Sequence, residues 1–127
     1  MRLAPNNKSR RAPMTHITYH DNGTITVSIT LDLQGSLLEM ENTILDGANK
    51  IGCLATGAAL KRFDSNGSAI IRGGVKWTAK GQDSRKYQTP YGVAEIERHV
   101  YQTSQGGHIY CPLEDSARTI LSATPKF

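Results

Sequence analysis

The feature that most constrains this chain is a run of strict alternation over residues 24–33. Ile25, Val27, Ile29, Leu31 and Leu33 fall on one parity, and Thr24, Thr26, Ser28, Thr30 and Asp32 on the other. A period of two sends successive side chains to opposite faces, so the segment reads as a strand with one apolar and one polar face. Ile17 and Tyr19 alternate just upstream, with Asp21-Asn22-Gly23 between, which predicts an N-terminal hairpin. A two-residue Asn22-Gly23 loop would oppose His20 to Ile25 and Thr18 to Val27, mixing polar with apolar positions. A three-residue loop with Gly23 left-handed pairs Tyr19 with Ile25 and Ile17 with Val27, and the faces then agree. The second register is therefore the predicted one. It puts His16 and His20 on the polar face beside Ser28 and Thr24, about 13 Å apart and too distant to hold one metal ion.

Gln34-Gly35 ends the strand, and Ser36 with Glu39 three residues on forms a capping box. Leu37, Leu38, Ile44, Leu45, Ala48 and Ile51 share one helical arc, with Glu39, Asn42, Asp46 and Lys50 opposite, so an amphipathic helix follows. Gly47, Gly52 and Gly57 interrupt its phase at about 1 kcal/mol each relative to alanine. The spacing thus predicts two helices, 36–50 and 54–64, with a break near Gly52. A helix-turn-helix would present Lys61 and Arg62 to DNA, but Gly57, Ala58 and Ala59 bring nothing to a base edge, and a packing helix is preferred.

Beyond an Asp64-Ser65-Asn66-Gly67 turn the chain is basic and irregular until Thr89-Pro90-Tyr91-Gly92, a strong turn signal. That turn joins 84–88 to 93–102 as a second hairpin. A three-residue loop over 90–92 would set Arg85 across from Glu97 and Tyr87 across from Glu95, on an exposed face. Ala94, Ile96, Arg98 and Val100 share the other face of their strand. Among those apolar neighbours Arg98 must snorkel or find a carboxylate, so a structural ion pair competes with a phosphate contact. The expected fold class is α+β, with an N-terminal β-hairpin, a central helix or helix pair, and a C-terminal antiparallel β-hairpin region.

Charge narrows the partners to two. The 127 residues carry 15 Lys+Arg against 11 Asp+Glu, a net +4. Residues 1–13 hold Arg2, Lys8, Arg10 and Arg11, no acid and two prolines, which predicts a flexible basic arm. The remainder, 14–127, is expected to be a single α+β module without net charge. It is polarised, because 61–86 contain Lys61, Arg62, Arg72, Lys76, Lys80, Arg85 and Lys86 against only Asp64 and Asp83. Residues 15–60 set Lys50 against Asp21, Asp32, Glu39, Glu41 and Asp46. The basic region can meet the acidic helix face or a nucleic acid. The nucleic-acid-binding candidates are Arg2, Lys8, Arg10, Arg11, Arg72, Lys76, Lys80, Arg85 and Lys86.

Other chemistry is sparse. Cys53 and Cys111 lack the spacing of a disulfide scaffold or a zinc ribbon, so a reducing cytoplasm is expected. No apolar run suits a membrane span or a secretory signal, and no membrane partner is expected. His108 and Cys111 fall on opposite faces of an extended segment, which argues against a metal site. Phosphate-loop, HExxH, GxSxG and GxGxxG motifs are missing from the sequence. Of the close carboxylate pairs, Glu95/Glu97 faces outward from a strand and Glu114/Asp115 sits at a helix start. No catalytic residues, cofactor or small-molecule substrate are expected, and the chain does not read as an enzyme. Thr124-Pro125 is a helix-start signal close to Phe127, which predicts the N-terminal part of a longer protein.

The ordered set Cys53-Leu-Ala-Thr56, Ala59-Leu-Lys-Arg-Phe-Asp64, Gly73-Gly-Val-Lys76, Lys80-Gly-Gln82, Tyr87-Gln-Thr-Pro-Tyr-Gly92, Glu97-Arg-His-Val-Tyr-Gln102, Gly106-Gly107 and Tyr110-Cys-Pro-Leu-Glu114 resembles a known family. From about residue 37 to 127 the chain looks like the N-terminal region of bacterial insertion-sequence transposases of the Kra type, assigned to the DDE class. The resemblance implies enzymes several times longer, whose catalytic carboxylates lie downstream in a ribonuclease-H-like domain. It further implies that this region serves transposition before catalysis, in recognising element ends or assembling the transposase. The expectation is a truncated transposase module with DNA as partner and no activity of its own. The alternative is a small protein-interaction or homo-oligomerisation module that does not bind nucleic acid.

Overall fold

The computed structural model describes residues 13–127. Their element order is β1 (Met14–Tyr19), β2 (Ile25–Thr30), α1 (Leu37–Lys61), β3 (Ile70–Arg72), β4 (Val75–Thr89), β5 (Gly92–Thr103), β6 (Gly106–Tyr110) and α2 (Pro112–Ala117). The fold is α+β, and the chain divides into two compact units, Met1–Ala55 and Thr56–Phe127. The basic arm expected over 1–13 lies outside the described residues except for Pro13.

In the first unit β1 and β2 pair antiparallel in the expected register, Tyr19 with Ile25 and Ile17 with Val27. The loop explains why. His20 N donates to Thr24 O at 3.0 Å, Gly23 N donates to His20 O at 3.3 Å, and Gly23 takes φ 85°. Asn22 Oδ1 accepts from Thr24 N at 3.1 Å, a local bond that holds the turn. His16 pairs with Ser28, and His20 Nε2 lies 2.8 Å from Thr26 Oγ1, so both histidines sit on the exposed polar face.

The capping box forms in both directions, with Ser36 N donating to Glu39 Oε1 at 2.8 Å and Glu39 N donating to Ser36 Oγ at 3.2 Å. The helix it starts differs from the expected pair. One helix, α1, runs unbroken through Gly52 to Lys61, and with no turn inside it the helix-turn-helix is excluded. Tertiary packing offsets the cost of at least two of its glycines. A Cβ on Gly47 would lie 2.7 Å from Leu31 Cδ2 and 2.8 Å from Ile29 Cδ1, so glycine lets the helix approach the hairpin closely. A Cβ on Gly57 would lie 3.3 Å from Ile96 Cγ2, again a close approach.

The face that docks is also not the expected apolar arc. Thr43 and Gly47 are buried, whereas Leu37 is 69% and Leu45 59% exposed, with Leu38 and Ile44 exposed beside them. Periodicity locates an apolar stripe but not the side of the helix that a neighbour approaches. Here the hairpin chooses the side with the smallest residues, where backbones come closest.

In the second unit the strands form one antiparallel sheet of order β3-β4-β5-β6. Much of the segment expected to be irregular is strand, including the 15 residues of β4. The second hairpin departs from its expected register by one residue. Thr89 pairs with Gly92 across a two-residue Pro90-Tyr91 loop, so Tyr87 meets Ala94 and Arg85 meets Ile96. Buried Thr89 selects this loop, its hydroxyl accepting from Tyr91 N at 3.1 Å and donating to Gly92 O at 2.7 Å. A one-residue slip exchanges faces, so Tyr87 and Arg85 join Arg98 instead of Glu95 and Glu97. Leu60, Tyr87 and Leu113 form the core, with Ile96, Cys111 and Ala117 packed against it.

The short helix α2 starts at Pro112 with Glu114 and Asp115 in its first turn, the expected placement of that carboxylate pair. Beyond it the chain returns to β4, where Gln88 N donates to Ser122 O at 2.8 Å and Thr124 N donates to Gln88 O at 2.9 Å. Thr124 and Pro125 lead into a turn closed by Phe127 N donating to Thr124 O at 3.0 Å. Among the described residues no helix is long and apolar enough to cross a membrane.

Candidate nucleic-acid interface

The five candidate cations among the described residues do not form one patch. Arg2, Lys8, Arg10 and Arg11 lie outside the described residues. The other five are on β3 and β4, and the fold gives them different work. Arg85 is consumed structurally, its Nη1 lying 3.3 Å from Glu114 Oε2 and its Nε donating to Ser122 Oγ at 2.7 Å. Lys86 stands across from Glu95 in the strand pair, which partly offsets its charge. Arg72, Lys76 and Lys80 remain exposed and without a carboxylate partner among the described residues.

These three belong to the β3–β4 ribbon and its continuation. Gly73 and Gly74 join the strands with φ 60° and 76°, a turn in which both central residues are left-handed. A Cβ on either would meet nothing within 4 Å among the described residues, so the turn is open around its backbone. Lys76 pairs with Ile71 and points to the face opposite Trp77 by strand alternation. Lys80 is the extra residue of a β-bulge between the Ala79–Tyr101 and Gly81–Val100 pairs.

On the other face, Arg72 Cζ lies 4.1 Å from the ring centroid of Tyr110 and 5.6 Å from that of Trp77. The two rings meet edge to face, 5.9 Å apart with planes at 63°. Tyr110 is tethered by its hydroxyl, which donates to Asp115 Oδ2 at 3.3 Å. The indole N–H of Trp77 is buried without a hydrogen-bond partner among the described residues, so dispersion and cation–π attraction hold the cluster. The sequence singled out Arg72 but not the rings. Trp77 shares the parity of Arg72 across the tight turn and was readable in principle, whereas Tyr110 arrives through β6.

Two further polar clusters stabilise the fold. Arg98, 5% exposed, donates from Nη1 to Glu114 Oε2 at 2.7 Å and to Tyr87 Oη at 3.0 Å, and from Nη2 to Asp83 Oδ2 at 3.1 Å. The ion-pair reading of Arg98 holds, with partners from β4 and α2. Burial, followed by the hydrogen bond to Glu114, pushes the Tyr87 hydroxyl up to about 12. Burial also raises the thiol of Cys111 and makes it a poor nucleophile.

The second cluster joins the end of α1 to β5. Asp64 Oδ1 accepts from His99 N at 3.0 Å, Asp64 Oδ2 lies 3.0 Å from His99 Nδ1, and Gln82 Nε2 lies 3.2 Å from His99 Nε2. Burial alone would raise the Asp64 carboxyl, but the bonds from His99 and Lys61 outweigh it and hold the group below its ordinary 3.8. Asp64, expected only as a turn residue, is thus a clamp. No three His, Cys, Asp or Glu gather in a metal-holding group among the described residues.

Comparison of the chain with protein families, with curated proteins and with solved structures found no match.

Proposed function

We propose that this chain is a DNA-binding module without catalytic activity, of the kind that precedes the catalytic domain in insertion-sequence transposases. The observation that carries the reading is the sorting of cations on the second unit. Lys61, Arg85 and Arg98 are each paired with Asp64, Glu114 or Asp83, whereas Arg72, Lys76 and Lys80 stand exposed on a projecting ribbon. A two-stranded ribbon fits the major groove of a duplex, and lysines along it neutralise phosphates. The family attribution rests on the motif resemblance from Cys53 to Glu114 alone.

The test is the salt dependence of duplex binding by the full chain. Each phosphate contact contributes about 0.9 to the slope of log affinity against log salt, so K76A/K80A lowers it by about 2. A slope identical to the wild type removes the ribbon from the interface.

A second reading, self-association, is favoured by the exposed stripe of α1. Leu37 and Leu38 recur as Ile44 and Leu45 seven residues on, the spacing at which a helix packs against a copy of itself. The partner in this reading is a second copy of the chain. Its mass in solution, measured with a gel shift, separates the two: a dimer that L45K dissociates and that ignores DNA supports the second.

A further inference from the structure

We propose that Arg72 reads a guanine, donating two parallel hydrogen bonds to O6 and N7 in the major groove, while Lys76 and Lys80 hold phosphates. This inference rests on the DNA-binding reading above and assigns, within it, the residue that senses sequence.

Three observations carry it. The first is pre-organisation. Arg72 lies over Tyr110 at 4.1 Å and over Trp77 at 5.6 Å, and Tyr110 is itself tied to Asp115. A guanidinium held on rings has lost much of its rotational freedom before any ligand arrives, so less entropy is lost on binding.

The second is unspent hydrogen-bonding capacity. Arg85 and Arg98 give their donors to Glu114, Asp83, Tyr87 and Ser122, whereas among the described residues Arg72 meets ring faces, which do not use its N–H groups. A planar guanidinium fork matches a coplanar pair of acceptors, and the guanine edge is such a pair. A phosphate is satisfied as well by a mobile ammonium, which the ribbon already supplies twice.

The third is access. Arg72 immediately precedes Gly73-Gly74, around which a Cβ would meet nothing within 4 Å among the described residues, so the backbone beside it can approach a base edge.

The experiment uses the full chain and a pool of random-sequence duplexes, followed by binding to the selected duplex with and without 7-deazaguanine, which lacks N7. The wild type is expected to enrich a site containing guanine and to lose about tenfold in affinity when that base becomes 7-deazaguanine. R72K, which keeps the charge, is expected to bind the unselected pool within about threefold of the wild type and to be insensitive to the base change. K76A/K80A is expected to keep the guanine preference and show a flatter salt slope.

Salt-dependent binding by the wild type with no guanine enriched, or with no penalty from 7-deazaguanine, overturns the assignment and leaves the DNA-binding reading standing. An R72A slope lowered by about 0.9 with guanine preference intact makes Arg72 a phosphate contact and also overturns it. Failure of the wild type to bind any duplex overturns both. The 7-deazaguanine arm uses unmodified protein, so its outcome does not depend on how the variants fold.

Discussion

Arg98 shows how much of this protein turns on single side chains. Its guanidinium is buried beside Tyr87, and its two carboxylate partners differ in setting, Glu114 being part-buried and Asp83 60% exposed. Removing the better-buried partner leaves a buried charge under-compensated, so Glu114→Ala is expected to cost roughly 3 kcal/mol. Asp83→Ala should cost under about 1 kcal/mol, because an exposed pair is well screened. Urea denaturation of both variants measures the difference, and equal losses would show that Glu114 is not the principal partner.

Tyr87 and Asp64 set opposite pH limits. Tyr87 titrates at about 12 in the fold against 10.0 ordinarily, so its contribution is complete below pH 10 and is lost as pH rises toward 12. Asp64 is held below 3.8, so its contribution is complete above that value and is lost as pH falls through the folded one. Thermal melts across pH are expected to show alkaline loss that Tyr87→Phe reduces and acid loss that Asp64→Asn reduces.

At the scale of elements, α1 and the β4–β5 hairpin show where local rules fail. A helix through Gly52 has to hold every backbone bond, so Gly52→Pro is expected to cost about 3 kcal/mol or more and lower the helical ellipticity. A true break there would accept proline with little change, which circular dichroism and a denaturation curve would reveal. The capping box at Ser36 was readable because both partners lie within one turn. The continuity of α1 was not, since the residues that approach Gly47 and Gly57 are Ile29, Leu31 and Ile96, outside the helix.

Loop chemistry explains the contrast between the hairpins. Asn22 and Gly23 impose their turn by local bonds and a left-handed glycine, so alternation and loop agree on one register. At Thr89-Pro90-Tyr91-Gly92 the turn signal was equally clear, but two loop lengths satisfied it. Burial of Thr89 and Tyr87 decided the matter, and burial depends on Leu60 and Leu113 arriving from elsewhere.

For the whole molecule, the distribution of charge matters more than its sum. Much of the basic excess of 61–86 is absorbed by local acids, which leaves the ribbon and the arm as the cationic contributors to the proposed interface. Deleting residues 1–13 is therefore expected to flatten the salt slope of DNA binding by up to about 4, one step of about 0.9 for each arm cation that contacts phosphate. An unchanged slope in a titration from low to moderate salt would exclude the arm from the interface.

The sequence by itself determined the α+β class, the first hairpin and its register, the start of α1, the turn at Pro90 and the conflict at Arg98. All of these follow from periodicity and from bonds between residues a few positions apart. The tertiary structure alone decided that α1 is continuous, which of its faces docks, which side of the sheet receives Tyr87, and which cations stay unpaired. Each of these depends on a contact between segments distant in the chain, such as Arg98 with Glu114, Asp64 with His99 or Arg72 with Tyr110. Local pattern records which surfaces a segment can bury, and only the assembled neighbours select the one it does bury.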